Sequence, residues 1–210
     1  MPDVALTSLD VRLQKQVESA QSASQQGDAD RAAEIYATIL KEQPGCVAVR
    51  KLERTVLLKA TVAKPGGLAR MVRVVSSSPF LFNGNLRLKD EPRLALASAE
   101  QVLRRDPENV AALSLLSQAA LALGWPETAV FAAETARGLE PDRPDLALAL
   151  GHALMAAGRT AEAVAAAKAA LRLQADHAGA LALQRDAAVA DTLARDQRAE
   201  GGNATGPAQR

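Results

Sequence analysis

Small and apolar residues recur along this chain at helical spacing, and then the whole pattern recurs. The order of apolar, small and polar positions from Leu116 to Asp142 returns 34 residues later from Leu150 to Asp176. Gly124 comes back as Gly158, Ala129 as Ala163, Val130 as Val164, Ala133 as Ala167, Ala136 as Ala170 and Leu139 as Leu173. A period of this length belongs to a helix pair that cannot bury its apolar face alone, so neighbouring copies must complete the core. Counting back by the same interval puts Ala95, Ala99, Val102 and Pro107 at the offsets of Ala129, Ala133, Ala136 and Pro141. Near the N-terminus, Gly27, Ala32, Tyr36, Ile39 and Pro44 repeat the spacing, which predicts four units in all.

Local punctuation sets the helix ends. A first helix is predicted from near Ser8 to Gly27, a residue suited to the left-handed conformation past a helix end. Asp28 caps a second helix running to about Gln43, where Pro44 and Gly45 break it, and a third spans about Cys46 to Ala63. Asp90 is placed to cap a helix from Glu91 to Arg105, and Asp106-Pro107 to start one that stops at Gly124. Pro126 suits the first turn of the next helix, and Asp142 or Pro144 opens the helix that closes at Gly158. Thr160 is expected to cap the following helix. A last helix, from about Asp176 to Arg198, covers the end of the stack, and the tail 199–210 has nothing to bury and is expected to be disordered.

These residues carry a family resemblance. The chain resembles the tetratricopeptide repeat family, whose pattern has Gly or Ala at the eighth position, Ala at the twentieth, a larger residue at the twenty-fourth and Pro near the thirty-second. Ala20, Ala32, Tyr36 and Pro44 fit in the first unit and Ser117, Ala129 and Pro141 in the third; Gly151 and Ala163 fit in the fourth, where Ala175 replaces the proline. The resemblance implies an all-α fold over residues 1–198: a right-handed α-solenoid of about four helix-turn-helix repeats, with a C-terminal capping helix and an insertion inside the second repeat. It also implies that first helices line a concave groove. The groove positions then fall on Ser114, Gln118, Leu121, Leu148, His152 and Met155, with Lys51 and Thr55 added by an earlier unit. Residues 110–123 contain no basic side chain, which argues against clamping a peptide's terminal carboxylate there.

The insertion, residues 64–90, is the most individual part. It holds Gly66-Gly67, Ser76-Ser77-Ser78-Pro79 and Asn83-Gly84-Asn85, all loop-forming material. Leu68, Met71, Val72 and Val75 share one face of a possible short helix there. Between Lys64 and Lys89 stand five basic residues and no acidic one. Phe80 and Phe82 also lie here and are candidate anchors for a partner, because buried aromatics dominate interface energetics; the other reading is a structural loop packed on the scaffold.

Composition narrows the chemistry. Hydrophobic residues make up 48% of the chain but aromatics only 2%, so the core must be built from Ala and Leu, as suits close-packed helices. Lys and Arg number 25 against 24 Asp and Glu, and a net charge of +1 lacks the field that nucleic-acid binding needs. The Ala-rich composition hints at a bacterial, GC-rich source. No apolar run reaches the length of a membrane span, no secretion signal opens the chain, and Cys46 stands alone, so a cytoplasmic protein without disulfides is expected. No phosphate loop, nucleophile elbow or metal-ligand spacing is present. The expectation is a non-catalytic scaffold that binds a peptide or helix of a partner protein in its groove, with no metal or cofactor; the alternative is an accessory subunit of an enzyme or membrane complex docking through 64–90.

Overall fold

The computed structural model describes residues 3–62 and 79–203. The described residues are all helix and turn, in two compact units, Met1–Leu139 and Glu140–Arg210. In the first unit a 3-10 turn at Leu6–Ser8 precedes α1 (Val11–Gln25), α2 (Ala29–Glu42) and α3 (Val47–Val62). Residues 79–87 are helical and form α4, followed by α5 (Pro92–Leu103), α6 (Val110–Ala122) and α7 (Pro126–Leu139). The second unit contains α8 (Pro144–Ala156), α9 (Thr160–Leu173) and α10 (Ala178–Asn203).

The helix boundaries follow from capping and turn chemistry. Asp10, Asp28 and Asn109 each accept a hydrogen bond from the backbone N–H three residues on, at 3.0, 3.1 and 3.0 Å, which satisfies donors left open in the first turn. Gly27, Gly124 and Gly158 take positive φ of 87°, 73° and 73°, and in each case the next residue's N–H closes back on a carbonyl five residues earlier at 2.9 Å. This is the left-handed helix terminus for which glycine avoids the Cβ penalty. The repeated glycines therefore turn one helix of a pair back on the other.

The crossings are held by small residues. Ala20 and Ala32, Ala95 and Ala99, and Ala129 and Ala163 are completely buried. Ser117 donates its hydroxyl to the Ala129 carbonyl at 3.0 Å, which pairs a buried polar group at the α6–α7 crossing. Larger side chains fill the spaces beside the crossings: Leu13, Val17, Tyr36, Ile39, Leu40, Val49 and Val56 form one core among α1, α2 and α3.

Several expectations need correction: α5 begins at Pro92 with Glu91 rather than Asp90 at its N-cap, and α6 begins at Val110, capped by Asn109, rather than at Asp106-Pro107. Asn83-Gly84-Asn85 is not a loop: these residues lie inside α4, and Gly84 is buried because a Cβ there would come within 2.6 Å of Leu115 Cδ2 and 3.1 Å of Ser98 Cβ. The glycine allows close helix approach rather than a turn. Thr160 is the first residue of α9 instead of its cap, and its hydroxyl donates to Asp191 of α10 at 3.0 Å. The last helix continues to Asn203, so 199–203 are helical, and 204–210 lie outside the described residues. α3 does not stack as a first helix, as shown below. Gly66-Gly67, Ser76 to Ser78 and the stripe Leu68, Met71, Val72 and Val75 also lie outside the described residues.

The chain's start is tied down. Asp3 accepts hydrogen bonds from the N–H of Glu127 at 2.7 Å, the N–H of Thr128 at 3.1 Å and the Thr128 hydroxyl at 2.8 Å, capping α7 from outside its own sequence. A carboxylate at a helix N-terminus also meets the positive end of the dipole. Asp3→Ala leaves the fully buried Thr128 without these partners and is expected to cost about 1–2 kcal/mol, read as a lower urea midpoint at unchanged slope.

Candidate functional site

Six of the residues expected to bind a partner lie on the first helices α6 and α8. On α6, Gln118 is exposed and Ser114 and Leu121 are half-buried. On α8, His152 is exposed while Leu148 and Met155 are half-buried. Leu148 is partly occupied by its own unit, since its Cδ2 lies where a side chain on Gly179 of α10 would sit, at 3.0 Å. His177, at the start of α10, accepts through Nδ1 from the Ala180 N–H at 3.3 Å and acts as a helix cap. Each face is mildly apolar with one exposed polar group.

Lys51 and Thr55 belong to a different surface. Gly45, just before α3, lies against Trp125, just before α7; Lys51 holds its ammonium 5.7 Å from the centre of the Phe131 ring; Arg50 pairs with Glu100 of α5. Farther along α3, Arg54 hydrogen-bonds the Pro107 carbonyl beyond the end of α5. α3 therefore runs along α5 and α7, which are second helices, and in the same direction. The structure does not bring Lys51 and Thr55 together with the α6 residues, because α3 covers the opposite side of the hairpins. The Thr55 hydroxyl, moreover, turns back to its own helix and donates to the Lys51 carbonyl at 2.9 Å.

The two phenylalanines differ. Phe80 is half-buried, with the Arg105 guanidinium 5.7 Å from its ring centre, so it is already partnered. Phe82 is 70% exposed, and one turn later Leu86 is 64% exposed. Their repeat register makes this unusual. Leu115 in α6 seats on Gly84 of α4, and Leu183 in α10 seats on Gly151 of α8; they are 1% and 4% exposed. Aligning Gly84 with Ser117, Gly151 and Arg185 puts Phe82 at the position of Leu115, Ala149 and Leu183, of which the two leucines are buried and Ala149 is half-buried, and Leu86 at that of Ala119, Ala153 and Ala187, all fully buried. The face that later helices press onto a predecessor is open on α4. Sequence reading missed Leu86, although its spacing of four from Phe82 was the available signal.

A second feature lies where α3 meets α5 and α6. A cavity of about 30 Å³ is lined by Arg50, Glu53, Arg54, Glu100 and Arg104, with Leu57, Leu113, Leu116 and Phe131 around it. This volume suits water rather than a cofactor. Burial pushes the Glu53 carboxyl up from 4.5 to about 7, further raised by Glu100 and opposed by Arg50 and Arg104. Burial also lowers the Arg54 guanidinium from its usual value. On the second unit's surface, hydrogen bonds from Arg143 hold the Asp145 carboxyl below the usual carboxylate range. Among the described residues no group of three or more His, Cys, Asp and Glu side chains is placed to hold a metal ion, and no helix is long and apolar enough to cross a membrane.

Helix pairs joined by left-handed glycines, crossing at alanines and repeating every 34 residues define a stacked helix-hairpin repeat protein. Models of the tetratricopeptide repeat match residues 87–144 and 144–177, so residues 87–177 of the chain are tetratricopeptide repeats. Such repeats generally act as protein-interaction modules. No curated protein matches the sequence. Among solved structures, the first tetratricopeptide domain of human RPAP3 is 18% identical, with 57% of this chain and 95% of that one covered at a TM-score of 0.55. The first such domain of Spaghetti (RPAP3), bound to an HSP90 peptide, is 19% identical over 55% of this chain and 93% of that one, at 0.52. An O-GlcNAc transferase of Thermobaculum terrenum is 22% identical over 55% of this chain, which spans only 22% of the transferase, at 0.52. At these identities the likeness shows the fold alone.

Proposed function

We propose that this protein is a non-catalytic scaffold that binds a segment of a partner protein through exposed faces of its first helices. The observation that carries the reading is the open apolar pair on α4, Phe82 and Leu86, at positions that are buried by a neighbouring helix farther along the repeat. Exposed large apolar residues in one stripe mark interaction sites more often than chance surface composition does. Ser114, Gln118 and Leu121 on α6, and Leu148, His152 and Met155 on α8, supply further contact surface with few charges. The Spaghetti domain that binds an HSP90 peptide supports peptide binding as the mode for this fold. A cytoplasmic location is part of the same reading, supported by the buried, unpaired Cys46.

The test is a photo-crosslinking amino acid at position 82, with the same group at exposed Arg172 of α9 as control. Adducts to one protein from position 82 alone, lost when Leu86→Asp is added, are the expected result. Phe82→Asp with Leu86→Asp is expected to weaken that complex at least tenfold while Tm moves by no more than about 3 °C, since both side chains are already in water. Equal labelling from both positions would defeat the α4 assignment. Leu121→Arg with Met155→Arg tests the α6 and α8 faces in the same way.

A further inference from the structure

The face that α3 lays on the second helices has the wrong chemistry for a permanent joint. Positions 50, 53, 54 and 57 make one helical stripe, and in this chain they read Arg, Glu, Arg and Leu. Arg50 is 4% exposed: one Nη donates to Glu100 Oε1 at 2.8 Å and the other to the Pro44 carbonyl at 2.7 Å, while its buried Nε has no partner. Glu53 is 8% exposed and has no ion-pair partner among the described residues. The groups around it are Arg50 and Arg54 on its own helix, Glu100 on α5 and Arg104 at the end of α5, the Pro107 carbonyl and Glu108 beyond it, and Phe131 on α7 with Lys51 of α3 above its ring. A carboxylate in this place must either lose its charge or draw water into the adjoining cavity.

We propose that the α3 joint is a proton-operated latch in which neutral Glu53 seals α3 against α5 and α7, and ionised Glu53 loosens it, uncovering the apolar seam of Leu103, Leu113, Leu116 and Phe131. The sign follows from linkage. The folded chain holds Glu53's proton up to about pH 7 and the unfolded chain releases it near 4.5, so the sealing contribution is complete below about 4.5 and is lost as pH rises through about 7. The latch concerns the second-helix side and is independent of the first-helix faces assigned to partner binding. Its consequence is pH-dependent exposure of a surface that α3 otherwise covers.

The full chain carries its own reporter. Trp125 is the single tryptophan, 4% exposed, with its ring 3.3 to 3.4 Å from where a Cβ on Gly45 would stand, at the turn that leads into α3. Loosening of α3 opens this contact. Acrylamide quenching of Trp125 is expected to be at least twofold stronger at about pH 8 than at about pH 5.5, with helical circular dichroism unchanged. Glu53→Gln, which keeps the shape without the charge, should give the weak quenching at both pH values, and Glu53→Met the same if glutamine impairs folding. Quenching that does not change with pH, a pH response that survives Glu53→Gln, or helicity that falls together with the quenching change would overturn the latch. Crosslinking from position 82 is read separately, so failure of one proposal is distinguishable from failure of the other.

Discussion

Trp125→Ala is expected to cost about 3–5 kcal/mol, the range for removing a fully packed aromatic side chain. Trp125 stands just before α7, where its backbone N–H closes the α6 terminus on the Ala120 carbonyl and its backbone carbonyl accepts from the Ala129 N–H. Its ring covers Gly45, so the same side chain finishes one hairpin turn and supports the turn into α3. Three residues on, Thr128 receives the Asp3 cap, and the Val4 N–H donates to the Gly45 carbonyl at 2.9 Å. Removing the ring therefore opens a cavity at the point where the N-terminal arm, the α2–α3 turn and α7 converge. A chemical denaturation curve followed by circular dichroism measures the loss. A change below about 1 kcal/mol would mean that α1 to α3 do not rest on this side of the repeats.

How much of this could be read from the amino acids depends on how local each cause is. Gly27, Gly124 and Gly158 were legible as hairpin turns because a positive φ is a property of one residue and its immediate neighbours. Ala129 and Ala163 were legible because both copies of a repeat must be small where helices cross. Gln118 and His152 were placed on exposed first-helix positions by the same periodicity, and both are exposed. Gly84 was misread because Asn-Gly-Asn has the chemistry of a turn, while the side chain that needs its missing Cβ, Leu115, is 31 residues away.

Lys51 and Thr55 were misplaced for a related reason. A strict 34-residue count treats every helix as part of the stack, but α3 departs from it by lying over α5 and α7. The departure had a local sign: Arg50, Glu53, Arg54 and Leu57 form a stripe too charged to be the apolar face of an ordinary repeat helix. Charge on a packing face was the clue, and only the structure shows that Glu100, Arg104 and the Pro107 carbonyl answer it. Leu86 needed both kinds of information, its spacing from Phe82 and the burial of its register partners.

Gly84 gives the second large effect. A leucine there has to occupy space already held by Leu115 Cδ2, with Ser98 Cβ behind it at 3.1 Å from the first added carbon, so α4 must shift off α5 and α6. Gly84→Leu is expected to destabilise the protein by about 2–3 kcal/mol, typical of overpacking a well-filled crossing. Gly84→Ala separates two opposing contributions: the nearest obstacle is the flexible end of Leu115, which can rotate, and replacing a mid-helix glycine returns up to about 1 kcal/mol of backbone entropy, so the net change is near zero. Gly138 in α7 is the control, because nothing stands within 4 Å of its added carbon; Gly138→Ala gains about 0.5–1 kcal/mol and Gly138→Leu is tolerated. Urea unfolding of the four variants decides the matter. If leucine is as harmless at position 84 as at 138, α4 does not pack on α6, and the open face carrying Phe82 and Leu86 loses the frame that defines it.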